Sequence, residues 1–223
     1  MKGATTLRSP LLTALVVVLF AGCAALAPRE VPDDREVAWE ELRAELEALS
    51  AWHARGRLSV QMGDDGGSAG FDWREHPGGD YALRLSGPWG QGVARIEGGD
   101  GYVRLDEGEG QVLEGASARL LLWQRFGWDV PVDGLRRWLM GLPTGDAAPD
   151  AYTLDDFGRL EHLRWEEWEI AYRRYTQVDG LDLPADLTIR HVDEGTRIRV
   201  AVDNWQPGAP GEGESSGIPL IGE

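Results

Sequence analysis

Residues 57–105 read RLSVQMGDDGGSAGFDWREHPGGDYALRLSGPWGQGVARIEGGDGYVRL. Leu58, Val60 and Met62 alternate with polar neighbours, as do Phe71 and Trp73, then Tyr81, Leu83 and Leu85. Val93 to Ile96 and Tyr102 to Leu105 continue the series. A period of two puts alternate side chains on one face of a half-buried strand. Between the runs stand Asp64-Asp65-Gly66-Gly67, His76-Pro77-Gly78-Gly79, Gly87-Pro88-Trp89-Gly90, Gly98 to Gly101 and Gly108 to Gly110, all of turn-forming composition. Short strands at near-regular spacing with glycine-rich connections predict an antiparallel meander, curled or closed into a barrel.

Outward from this block the period changes. Upstream, Trp39, Leu42, Leu46, Leu49 and Trp52 recur at threes and fours and predict one helix face, ended by Arg55-Gly56. Downstream, Ser117 can cap a helix over Ala118 to Phe126, with Gly127 to stop it. Pro131 precedes a second helix, Asp133 to Met140, closed by Gly141 and Pro143. Two short amphipathic helices set between strands predict a lid over the sheet. Strand alternation then returns through Leu160, Leu163 and Trp165, then Trp168, Ile170 and Tyr172, then Leu187 and Ile189, and finally Ile198, Val200 and Val202. The predicted fold is mainly β with a helical lid.

The two ends read differently. Lys2 and Arg8 precede an apolar run from Leu11 to Phe20, and Ala21-Gly22-Cys23 closes it. That is a secretory signal, too short for a spanning helix. Phe20-Ala21-Gly22-Cys23 resembles a bacterial lipobox, so Cys23 is the expected acylation site and residues 1–22 the signal peptide. Ala24 after the cysteine resembles an outer-membrane rather than an inner-membrane destination. Residues 23–34, with Pro28 and Pro32, read as a tether, and 35–205 as a single folded domain. Residues 206–223 are rich in Pro, Gly and Ser, carry acids and no base, and read as a disordered acidic tail.

Charge removes whole classes of function. The 223 residues hold 22 Lys+Arg against 38 Asp+Glu, a net charge of −16. Nucleic-acid binding needs a positive face to replace phosphate counterions, so no nucleic-acid partner is expected. Loss of residues 1–22 would remove Lys2 and Arg8 and leave arginine as the only fixed cation. An acid excess of this size raises solubility and repels anionic membranes. The single cysteine allows no internal disulfide and no Cys-based zinc site.

Catalytic patterns are missing. His53, His76, His162 and His191 form no close ligand pair, and there is no HExxH. Gly115-Ala116-Ser117 lacks the second glycine of a nucleophile elbow. The glycine-rich turns lack the strand–loop–helix frame and the lysine of a phosphate loop. Asp155-Asp156 and Glu166-Glu167, as neighbours on a strand, would point to opposite faces and read as solvated. No catalytic residue, metal or cofactor is expected. Ten tryptophans remain to be placed. A curled sheet of this size can enclose a cavity for one apolar ligand, and the aromatic side chains either line it or fill an ordinary core. Trp89 stands apart, because Gly87-Pro88-Trp89-Gly90 offers a tryptophan at a tight turn, where side chains are normally polar.

The chain resembles the LolB family of outer-membrane lipoprotein receptors of Gram-negative bacteria. The resemblance rests on Trp52 with Arg55-Gly56-Arg57-Leu58, on Phe71-Asp72-Trp73, on Tyr81-Ala82-Leu83-Arg84-Leu85 and on the Gly87–Gly90 turn. It continues through Gly127-Trp128-Asp129-Val130-Pro131-Val132 and Trp138-Leu139-Met140-Gly141-Leu142-Pro143 to Asn204-Trp205.

That resemblance implies an unclosed, strongly curved antiparallel barrel whose helical lid covers an apolar cavity. It implies that acyl chains of triacylated lipoproteins pass from a LolA-type periplasmic carrier into the cavity, then into the inner leaflet of the outer membrane. The receptor would be a monomer, lipid-anchored on the periplasmic face. Apolar strand and helix faces nominate Val60, Phe71, Trp73, Leu83, Leu85, Trp138, Leu139, Ile170, Tyr172 and Val200 as cavity lining; a one-residue slip would invert the assignment of any strand. The family's exposed apolar residue in the turn after the third strand, usually Leu, would be Trp89 here, making Gly87, Pro88, Trp89 and Gly90 the membrane-insertion loop. Competing classes are a lipid-anchored envelope hydrolase, which needs a catalytic constellation, and a structural or sensor lipoprotein, which needs no cavity.

Overall fold

A computed structural model describes residues 34–87, 92–99, 101–108, 111–145 and 151–208. Among these residues there are three helices, and the strands form one 11-stranded antiparallel sheet.

Helix α1 (Asp34–Glu47) carries Asp34 and Glu36 in its first turn, where carboxylates complement the helix dipole, and buries Trp39 and Leu46. It is shorter than its apolar spacing predicts. Trp52 is not on the helix but opens strand β1 (Trp52–Met62). Its ring belongs to a cross-strand aromatic cluster, 5.9 Å from Trp73 and 5.5 Å from Trp205. The helical spacing of Trp52 was therefore coincidence, overridden by tertiary packing. Gly56, expected to end the helix, lies mid-strand at a register shift between β1 and the last strand. A Cβ there would run into the carbonyl oxygen of Ala201, so only glycine permits the two backbones to approach.

The first half of the sheet is a meander of β1, β2 (Asp65–Glu75), β3 (Tyr81–Ser86), β4 (Gly92–Gly99), β5 (Tyr102–Asp106) and β6 (Val112–Gly115). Met62 pairs with Asp65, so the first hairpin turns at Gly63-Asp64, earlier than expected, and Gly66 and Gly67 already lie in β2. The second half is β7 (Tyr152–Leu154), β8 (Leu160–Trp165), β9 (Trp168–Val178), β10 (Leu181–His191) and β11 (Arg197–Pro207). The strand order is β6-β5-β4-β3-β2-β1-β11-β10-β9-β8-β7. First and last strands thus meet at the centre, with Trp52 opposite Pro207 and Val60 opposite Ile198. The edges β6 and β7 do not pair with each other, so the barrel stays open. Strand β11 continues past Trp205 to Pro207, which moves the start of the tail beyond residue 206.

Glu166 and Glu167 occupy the turn between β8 and β9, with Glu166 at φ 50°, rather than a strand. Asp155 accepts hydrogen bonds from Arg159 and from backbone N–H groups of its own turn. Both acidic pairs are turn elements.

Between β6 and β7 the chain forms α2 (Ala118–Phe126) and α3 (Val132–Leu139). Ser117 Oγ accepts from Leu120 N–H, and Gly127, at φ 68°, donates its N–H to the Trp123 carbonyl. Helix α3 starts and stops one residue before its predicted ends. Buried faces of both helices join the sheet's inward side chains in one core.

Candidate functional site

The inner face of the sheet falls into two parts. Under β8–β10 it is filled. Trp138 is fully buried, its ring 5.8 Å from Trp165 and 6.3 Å from Trp168, and Tyr172 donates its hydroxyl to the Trp138 carbonyl at 3.1 Å. Burial pushes the Tyr172 phenol far above its ordinary range. Under β1–β4 and β11 a small apolar cavity remains, of about 40 Å³.

Its floor is Leu58, Val60, Phe71, Trp73, Leu83, Leu85, Ile96, Ile198 and Val200. Its roof is Leu122 of α2, Trp128 and Val130 of the connecting segment, and Val132, Leu135 and Leu139 around α3. The floor follows from register: Phe71 pairs with Leu85, Trp73 with Leu83 and Leu83 with Ile96, which puts these side chains on one face. The roof follows from helical spacing, because residues 132, 135 and 139 share a stripe.

Seven of the nominated residues, Val60, Phe71, Trp73, Leu83, Leu85, Leu139 and Val200, line this cavity. Trp138, Ile170 and Tyr172 do not. They point inward too, but into the filled half, because Trp138 lies on the β8–β9 side of the α3 stripe and packs on Trp165 and Trp168. Ile96 and Ile198 were missed although cross-strand alternation could have found them. The roof residues Trp128 and Val130 lie in no repeat, and no sequence period pointed to them. Gly87 follows β3 and is half-buried. Pro88, Trp89, Gly90 and Cys23 lie outside the described residues.

Ion pairs hold the roof down. Arg136 of α3 forms a charge-assisted pair with Glu75 at the end of β2, its Nε 3.2 Å from Glu75 Oε2. The same guanidinium donates to the Gly79 carbonyl at 2.8 Å and stacks 4.7 Å over the Tyr81 ring. Burial raises the Glu75 carboxyl above its usual range and Arg136 pulls it back only in part. Burial also pushes the Tyr81 phenol up to about 12. Arg137 donates to Glu47 of α1 at 3.2 Å. Arg119 grips Asp129 through both oxygens, and its hydrogen bonds hold that carboxyl below its usual range. Arg125 donates to Glu107, beyond β5, at 2.8 Å. Each bond joins the lid to the sheet, to α1 or to itself, outside the apolar lining.

An open, helix-capped half-barrel around a wholly apolar pocket is a binding architecture. Solved structures share the fold. A DUF1329 family protein from Desulfovibrio piger ATCC 29098 superposes with a TM-score of 0.52 at 11% identity, over 82% of this chain and 94% of that one. A Vibrio parahaemolyticus domain described as outer membrane lipoprotein-sorting gives 0.53 at 11% identity, over 81% and 93%. These likenesses establish the fold alone.

The family model of the outer membrane lipoprotein LolB matches residues 50–205. The outer-membrane lipoprotein LolB of Halorhodospira halophila is 35% identical over 86% of this chain and 91% of its own. That of Pseudomonas paraeruginosa is 35% identical over 88% and 95%. The chain belongs to the LolB family.

Proposed function

We propose that this chain is an outer-membrane lipoprotein receptor whose apolar cavity accepts the acyl chains of triacylated lipoproteins from a LolA-type carrier and releases them into the inner leaflet of the outer membrane. The observation that carries the reading is the cavity itself, apolar on every side and roofed by a latched lid, in a member of the LolB family. Each CH₂ hidden from water is worth about 0.8 kcal/mol, so a site without polar groups suits acyl chains and little else.

With about 40 Å³ free, the cavity is narrow. About 10–15 Å³ of such space holds one water, so the cavity has room for only a few, far less than an acyl chain requires. Loading therefore requires α2 and α3 to move off the β1–β4 floor. Transfer without fuel further requires that the receptor bind the chains more tightly than the carrier does. Cys23 would carry the lipid that keeps the receptor at the membrane, and Trp89 would lead release.

The test mixes the mature chain carrying Cys23→Ala with carrier loaded with labelled triacylated lipoprotein. Label moving onto this chain is the expected result. Label staying on a carrier shown to be competent would overturn the reading and leave a structural or sensor lipoprotein.

A further inference from the structure

The outer face of the sheet bears a second concavity, unrelated to the apolar cavity. It is a groove of about 790 Å³ across β7–β11, lined by polar side chains with some apolar ones among them. Register lays it out. One row across the strands runs Arg164, Glu169, Arg190 and Arg197. The next runs His162, Ala171, Thr188 and Arg199. Ala171 and Thr188 are short and form a low floor. The arginines of the first row, with Arg199 and Arg173, rise around it. Adjacent strands lie about 4.8 Å apart and alternate residues about 6.6 Å, so Arg190, Arg197 and Arg199 are near neighbours on this face, with Arg173 further along β9.

The groove is cationic within a chain of net charge −16. Glu169 is already neutralised twice, by Arg190 at 3.0 Å and Arg164 at 3.2 Å. Asp186 is the other carboxylate in the lining. Arg173, Arg197 and Arg199 are exposed and have no carboxylate partner among the described residues. Arginine forks bind phosphate oxygens bidentately, and Arg197 and Arg199 stand two residues apart on this face without a carboxylate partner among the described residues.

Position selects the source of that phosphate. Ser86, where β3 ends, pairs with Gly70; Gly70 pairs with Arg57, and Arg57 with Ala201. Beyond that row, on the side where the chain leaves β3 for β4, β11 continues through Arg199 to Arg197. The groove and the β3–β4 connection therefore lie toward the same end of the sheet. A bilayer that took up Trp89 would bring its headgroups to the arginines.

We propose that the groove walled by Arg173, Arg190, Arg197 and Arg199 binds the phosphate of an anionic phospholipid headgroup, orienting this end of the sheet on the membrane during release. The proposal rests on the reading that the β3–β4 connection enters the membrane. It also reverses, for one face, the repulsion that the overall charge implies.

Flotation of the mature Cys23→Ala chain with phosphatidylethanolamine vesicles, with and without phosphatidylglycerol, tests it. Binding should require phosphatidylglycerol. Arg197→Gln combined with Arg199→Gln should weaken it roughly tenfold or more. Arg84→Gln with Arg95→Gln, on the outer face of β3 and β4, should change it little. Equal loss in both pairs would show diffuse attraction and overturn the site. Binding of free glycerol phosphate without vesicle binding would assign a soluble ligand and overturn the lipid source. Loss of carrier association with unchanged flotation would assign an acidic protein surface and likewise overturn it. Acceptance of label from the carrier, measured without vesicles, should survive the groove substitutions. Failure of the unaltered chain in that assay, with flotation intact, would remove the receptor reading and leave the headgroup site standing.

Discussion

Gly56 shows how much one missing side chain decides. Any Cβ there meets the Ala201 carbonyl, in the strand pair that joins the two halves of the sheet. Gly56→Ala should therefore destabilise the fold by about 3 kcal/mol or more, read as a lowered urea midpoint at unchanged m-value. Trp89 tests the other end of the function. Trp89→Glu should leave acceptance from the carrier intact and abolish delivery to vesicles, since a charge is costly below the headgroups. Loss of acceptance with normal delivery of preloaded protein would remove Trp89 from the insertion role. Legibility at this scale was uneven. Ser117 and Gly127 were readable because capping is local chemistry. Trp52 was not, because nothing local reveals that its ring joins Trp73 and Trp205.

At the scale of elements, the lid is bonded shut by polar groups placed outside an apolar interior. Arg136→Leu removes the partner of a buried carboxylate while keeping much of the stem's packing, and should cost about 2–3 kcal/mol at neutral pH. The cost should also depend on pH. Burial already raises the Glu75 carboxyl, and loss of Arg136 raises it further. A folded state that holds its proton more tightly than the unfolded chain loses stability as pH rises. The variant should thus lie nearest the parent below about pH 4, near the ordinary carboxylate value, and fall behind as pH rises through the raised one. Thermal melts across that range check the sign. The same variant should load acyl cargo faster, and slower loading would argue against Arg136 as a latch. Helices α2 and α3 were legible because a 3.6-residue period and end signals coincide. Strands β6 and β7 were not, since runs as short as Val112–Gly115 and Tyr152–Leu154 show too little alternation to register.

For the molecule as a whole, the central β1–β11 pair ties every other strand to the end of the domain. A chain ending at residue 196 should fail to fold, whereas one ending at residue 208 should melt like the full chain; circular dichroism and thermal melts distinguish them. The meander was foreseeable from turn spacing, because each hairpin is local, whereas the openness of the barrel followed only from the family resemblance. The central pairing was not, because it joins residues more than a hundred positions apart and leaves no periodic trace. For the same reason the cavity floor was partly legible, as it follows strand alternation, while its exclusion of Trp138, Ile170 and Tyr172 depended on which helix side chain filled which half.

The pairing of the first strand with the last also bears on timing. Contacts between positions distant in sequence form late, because a long loop must close before they repay its entropy. While β11 is unmade, β1 has an open edge and the two meanders are unjoined. The polypeptide would emerge from the ribosome with its domain incomplete until the final strand is synthesised; were residues 1–22 to direct export, that delay would have a use. The chain would stay threadable through a narrow translocation pore and lock into shape only after its last third had crossed.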